Sequence, residues 1–222
     1  PQEKIIEYIV AAKPDEPLAG LSMRAFIEEV AARSSAPGGG SASAAIAALG
    51  VGLGAMVAKL TQGVRKFEHL ETQMRTIIPP LHATVNKLIP MIDADAHAFN
   101  EYMEGLRMPQ NTAAEKAARH AKMQAGLKAA IQIPLTTMRL GNQVWDRMCD
   151  VARYGNPASK SDVQVGARAL ETGIWGALQN VYINMVDLTD AAFKAEILEE
   201  AEAIMARAEA KCSEVLEILE KQ

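Results

Sequence analysis

From Thr189 to the C-terminus, Phe193, Ile197, Ala201, Ile204, Ala208, Cys212, Val215 and Leu219 recur at intervals of three and four. That is the period of a helix with one buried face. Similar patterning divides most of the chain into helices. Ser22 is placed to cap a helix through Arg33, with Phe26, Ile27 and Val30 on its apolar side. A helix of alanine, glycine and a few aliphatics, free of charge over Ala42–Ala58, is expected to run to about Thr61 from Ser41 as its N-cap. Glu68 to Glu104 reads as helix interrupted by Pro79-Pro80 and Pro90. Thr112-Ala113-Ala114-Glu115 is a capping box opening a helix to about Ala152, bent at Pro134 and stopped by Gly155-Asn156-Pro157. Another helix covers about Asp162 to Met185. Ahead of these, Gln2–Ala11 is a short amphipathic stretch, and Lys13-Pro14-Asp15-Glu16-Pro17 reads as a linker. No segment alternates as a strand would. The expected fold is an all-α bundle of long helices, and its alanine and glycine faces suit a homodimer.

Composition agrees with helices. Half the residues are hydrophobic but only 5% are aromatic, which leaves alanine, leucine, isoleucine and methionine to fill the core. A net charge of −4 argues against general binding to nucleic acid or membrane surfaces. The Ala42–Ala58 run is too short and too rich in small residues to be read as a membrane span. Cys149 and Cys212 lack metal-site spacing and suit reduced thiols in a cytoplasmic protein, and the four histidines show no ligand spacing, so no metal is expected. No signal peptide is visible, and the first residue is Pro1 rather than methionine, as in a piece of a longer protein.

Three places could carry chemistry. The run Ala36-Pro37-Gly38-Gly39-Gly40-Ser41 allows positive φ at any glycine and presents bare N–H groups at a helix start. It suits either an anion or polar ligand, or a tight entry turn for a closely packed helix. On the helix around Ile89, Ile92, Ala96 and Phe99, helical geometry puts Asn86, Asp93, His97, Asn100 and Glu104 within about 60° on one edge. Asp95 falls on the opposite edge. Asp93 with His97 suits acid–base work if half-buried, and a plain solvated face otherwise. The third place is Gly155–Asp162. There Asn156, Ser161 and Asp162 could bind a heterocycle, although helix capping also explains them. Lys66, with Lys59 and Arg65, lies where cations suit a helix end and where an acidic substrate could be met. Asn184, among Ile183 and Met185, needs a partner if buried. Gly50, Gly52 and Gly54 are read as flat surface for helix contact.

Phe26-Ile27-Glu28-Glu29-Val30-Ala31-Ala32-Arg33, the Ala36–Ser41 run, Asp93-Ala94-Asp95-Ala96, Gly155-Asn156 and Ser161-Asp162 together resemble the cyclodeaminase/methenyltetrahydrofolate cyclohydrolase family of folate enzymes. The resemblance covers nearly the whole chain in order. It is strongest to the bifunctional members, in which a transferase portion comes first; residues 1–20 then resemble its tail and 21–222 the cyclodeaminase domain. It implies a dimeric helical fold with a cleft near the subunit interface, and closure of formimidoyltetrahydrofolate to methenyltetrahydrofolate with release of ammonia in histidine degradation. It implies Asp93 as the catalytic aspartate. His97 is expected to assist it, and Gly38, Gly39, Gly40, Ser41, Lys66, Asn156, Ser161 and Asp162 to line the substrate cleft. No cofactor is implied beyond the tetrahydrofolate substrate itself, in polyglutamylated form. The resemblance further implies a ring of dimers in the full-length enzyme and a cytoplasmic location, with some members at Golgi and centrosome. Two alternatives stand beside it: a methenyltetrahydrofolate cyclohydrolase, and a non-catalytic oligomerisation module.

Overall fold

A computed structural model describes residues 16–221, which are helical almost throughout and contain no strand. The expected stretch Gln2–Ala11 and the start of the linker lie outside the described residues. The helices are α1 (Met23–Val30), α2 (Gly39–Thr61), α3 (Glu71–Arg107), α4 (Ala113–Asn142), α5 (Trp145–Tyr154), α6 (Lys160–Met185) and α7 (Ala191–Glu220). Short 3-10 helices at Arg65–Leu70 and Pro157–Ser159 make two of the connections.

Helix α2 is the central member, packed between α3 and α6. Its contact with α6 is built from residues without bulk. A Cβ on Gly173 would lie 2.6 Å from the Ala47 nitrogen, and one on Gly50 would lie 2.7 Å from the Gly166 carbonyl oxygen. Gly54 makes room for Met148, whereas Gly52 faces open space; two of the three interior glycines serve close contact and the third does not. Long enough and apolar enough to cross a membrane, α2 instead buries Ala44, Ala47, Val51, Ala55 and Ala58 in the core. The α7 stripe from Ile197 to Leu219 is buried as its periodicity requires.

Several boundaries differ from the sequence reading. Helix α3 runs without interruption through Pro79, Pro80 and Pro90, because Met74, Ile77, Leu81, Leu88 and Ile92 anchor it turn after turn. The long helix expected to Ala152 breaks at Gln143–Val144. That turn swings Val144 and the wholly buried Trp145 into the core, and so separates α4 from α5. The capping box at Thr112 and Glu115 forms as expected. Asn184 finds its partner, its amide donating to the Ala130 carbonyl at 2.9 Å.

Helix α1 stands apart. Ser22 caps it, but it ends at Val30 rather than Arg33 and buries no residue. Its apolar side, with Ile27 57% exposed, faces α2 and α3 across a groove of about 670 Å³.

Candidate active site

Asp93 lies on α3 and is only 3% exposed. The main chain holds its carboxylate: the Leu18 N–H donates to Oδ1 at 2.7 Å and the Ala19 N–H to Oδ2 at 3.0 Å. Both donors belong to the turn 17–20 that leads into α1. With one donor on each oxygen the carboxylate is fixed in orientation and keeps lone pairs for a further partner. It borders a polar cavity of about 270 Å³. His97 and Asn100, one and two turns further along α3, share that cavity with Asp93, as the common helix edge predicts. The opposite wall is Glu29 of α1 and the loop Ser34–Pro37. Glu29 is a carboxylate that the sequence reading left unassigned, because nothing local distinguishes it from Glu28.

Of the two readings of the glycine run, the structure shows the tight entry turn of a closely packed helix. Gly38 is the N-cap of α2 with φ −132°, and Gly63 is the one described residue with positive φ. Conformational freedom is therefore not the reason for three glycines here. For Gly40 the reason is space. A Cβ on Gly40 would overlap the Asp95 carboxylate, and one on Gly39 would touch the Asn180 amide at 3.4 Å. Ser41 is not the N-cap but sits inside the first turn, fully buried. Its N–H donates to Asp95 Oδ2 at 2.8 Å and its hydroxyl to the same oxygen at 3.1 Å. An internal carboxylate thus occupies the positive end of α2. Burial pushes the Asp95 carboxyl above the usual carboxylate range, against the two Ser41 bonds that pull it down.

The remaining expected residues gather elsewhere. The Asn156 N–H donates to Thr61 Oγ1 at 2.8 Å, at the far end of α2, and its side chain caps the Pro157–Ser159 turn. Ser161 and Asp162 follow in the first turn of α6. Lys66 is in the Arg65–Leu70 turn just beyond α2, its ammonium 5.3 Å from the Phe67 ring centre. Helix α2 is about 34 Å long at 1.5 Å per residue. Asp93, His97 and Gly38–Ser41 therefore cluster at one end of it, and Lys66, Asn156, Ser161 and Asp162 at the other. Within one chain they are two groups. Among the described residues no cluster of His, Cys, Asp or Glu is placed to hold a metal ion. Burial raises the Cys149 and Cys212 thiols to about 11 and about 12, so neither is a ready nucleophile.

Comparison with known proteins gives the family. The formiminotransferase-cyclodeaminase family profile matches residues 22–203. Formimidoyltransferase-cyclodeaminase of Sus scrofa is 43% identical over 221 residues, covering 99% of this chain and 41% of its own length. The Dictyostelium discoideum protein of that name is 46% identical over 221 residues, with 99% and 40% covered. The chain thus spans about two fifths of these relatives. A methenyltetrahydrofolate cyclohydrolase of Methylorubrum extorquens is 34% identical over 201 residues, 90% of this chain and 97% of that protein. The crystal structure of formiminotetrahydrofolate cyclodeaminase from Thermotoga maritima superposes with a TM-score of 0.81 at 26% identity, covering 90% of this chain and 96% of the other. On the profile match and these identities, the chain belongs to the formiminotransferase-cyclodeaminase family.

Proposed function

We propose that the chain closes formimidoyltetrahydrofolate to methenyltetrahydrofolate and releases ammonia, with Asp93 as the proton shuttle. The observation that carries this reading is a buried aspartate clasped by two main-chain N–H groups at the edge of a polar cavity. The formimino group is an amidine, cationic near neutral pH, and a fixed carboxylate is a fitting counter-charge. The anilino nitrogen attacks the amidine carbon to give a tetrahedral aminal. One proton then leaves the attacking nitrogen and one reaches the departing nitrogen, which goes as ammonia. Asp93 is placed to take the first and return it, a role generally worth about 10²–10⁴-fold. His97, exposed on the same cavity, assists or orients the transfer. Holding the two reacting nitrogens in cyclising geometry supplies a further large factor. No cofactor other than the folate is required.

The cyclohydrolase relative keeps a second reaction in view, in which water attacks the methenyl bridge at the same site. Incubating the purified chain with formimidoyltetrahydrofolate and, separately, with methenyltetrahydrofolate, and following ammonia from the first and loss of the methenyl bridge in the second, separates the two. Ammonia release is the expected result. Hydrolysis of methenyltetrahydrofolate without it favours the cyclohydrolase, and neither activity nor folate binding favours an assembly module.

In this reading the working unit is a homodimer. Leu49, 53% exposed, and Met56 line the α2 side of the groove that α1 faces, and Leu60 extends this exposed apolar stripe along α2. Gly52, with no atom near the place of its missing Cβ, lets a second helix approach. A two-fold axis near the middle of α2 would set two copies of that helix antiparallel. Lys66, Asn156, Ser161 and Asp162 of one copy would then face the Asp93 cavity of the other and unite the two groups. Leu49→Glu is expected to yield folded monomers by light scattering, with ammonia release lost in parallel. A fully active monomer would refute the shared site. Polyglutamylated folate as substrate, and a ring of such dimers in the longer bifunctional protein, extend the same reading.

A further inference from the structure

We propose that Asp95 is a positioning residue for the reaction: it ties the glycine turn to α3 and thereby sets the wall that Ser34–Pro37 presents to Asp93. The inference rests on the functional reading above for its catalytic consequence, and on contacts alone for its structural one. The two carboxylates are two residues apart on α3 and point to opposite edges, so they have different partners. Asp93 is held by the turn before α1, and Asp95 takes the N–H and hydroxyl of Ser41 on α2. Between the two clasps runs the loop Ser34–Pro37, which lines the cavity and leads directly into the glycine run. Helix α1 buries nothing, so the firm attachments on either side of that loop are the Asp93 and Asp95 clasps.

Gly40 completes the device. The Asp95 carboxylate occupies the volume where any other residue at position 40 would put its Cβ. The glycine and the aspartate are therefore one requirement, written 55 residues apart. The carboxylate is also kept where burial disfavours its charge.

The test is a double-mutant cycle on the whole chain, each variant assayed well below its own melting temperature. Asp95→Ala is expected to lower kcat for ammonia release about 10–100-fold, the cost of an ångström-scale misplacement, with KM within about threefold. Asp95→Asn keeps an oxygen for the Ser41 N–H and is expected to stay within about threefold of wild type in kcat. Gly40→Ala is expected to match Asp95→Ala, and the double variant to be no worse than either single one. A folded Asp95→Ala with wild-type kcat, or losses that multiply in the double variant, overturns the proposal. Should Asp95→Ala not fold, Asp95→Ser takes its place, its hydroxyl stopping short of both Ser41 donors: a severalfold lower kcat supports the proposal and an unchanged one overturns it.

Amide hydrogen exchange provides a readout independent of turnover. Asp95→Asn and Asp95→Ser should leave α7 protected, and only Asp95→Ser, which breaks both bonds to Ser41, should speed exchange across Ser34–Ser41. Unchanged exchange there in Asp95→Ser overturns the proposal whether or not the chain is active. A wild-type chain that releases no ammonia but shows this exchange pattern tells against the functional reading alone.

Discussion

Asp93→Asn is expected to lower ammonia release about 10²–10⁴-fold while the chain remains folded. The change is nearly isosteric, so the cavity keeps its shape and the α3 core is untouched. The basicity is lost: an amide cannot take the proton from the attacking nitrogen or balance the charge of the amidinium. There is a structural cost as well. The Leu18 and Ala19 N–H groups now reach one oxygen and one NH₂ instead of two oxygens. One buried donor is left facing another, at a cost of about 1–3 kcal/mol. Steady-state assays of ammonia and methenyl product, with circular dichroism and thermal melts on the same sample, separate the two effects. Wild-type turnover in a folded Asp93→Asn would move the proton transfer elsewhere, and Glu29 is then the other carboxylate on the cavity. His97→Ala, at an exposed position, should fall well short of the aspartate's effect.

A large effect on stability is expected at Gly173. An alanine there would put its methyl 2.6 Å from the Ala47 nitrogen and 2.8 Å from its Cα. These are main-chain atoms of a helix and cannot swing aside as a long side chain would. Helices α2 and α6 would have to separate, disturbing the Gly50–Gly166 contact one and two turns away. Overpacking of this kind costs about 1–3 kcal/mol, and the rigidity of both partners puts Gly173→Ala at the upper end. For a chain of this size that corresponds to a melting temperature lower by about 6–12 °C. Gly52→Ala is the control. Its methyl meets nothing within 4 Å, and alanine is the better helix former by about 1 kcal/mol, so the folded protomer should not melt lower. A gain of stability at both glycines would show that helix propensity, rather than close contact, governs these two helices.

The two glycines also mark how far sequence carries. The small residues of α2 announce a close helix contact, but which of Gly50, Gly52 and Gly54 face it depends on where α6 lies. Periodicity suffices for the α7 stripe and for the edge shared by Asp93 and His97, because both are properties of one helix. It also suffices for the Thr112 capping box, which closes within four residues. Pairings between distant segments were hidden. The glycine run reads locally as freedom to adopt positive φ, whereas Gly40 answers to a carboxylate on another helix. The prolines of α3 argue locally for breaks, and long-range packing overrides them. Asn156, Ser161 and Asp162 look like companions of the glycine run because all are polar and turn-like; the length of α2 sets them apart.

The clasp on Asp93 has a genetic consequence. Its donors are peptide N–H groups, which every residue except proline possesses. Substituting the side chains of Leu18 or Ala19 therefore leaves the hydrogen bonds to Asp93 available, however far the letters drift. In a saturation scan of this turn, most changes at these two positions should be tolerated, with proline the sharp exception. An interaction that fixes the orientation of the central acid can thus persist through a family without leaving an invariant letter to mark its other half.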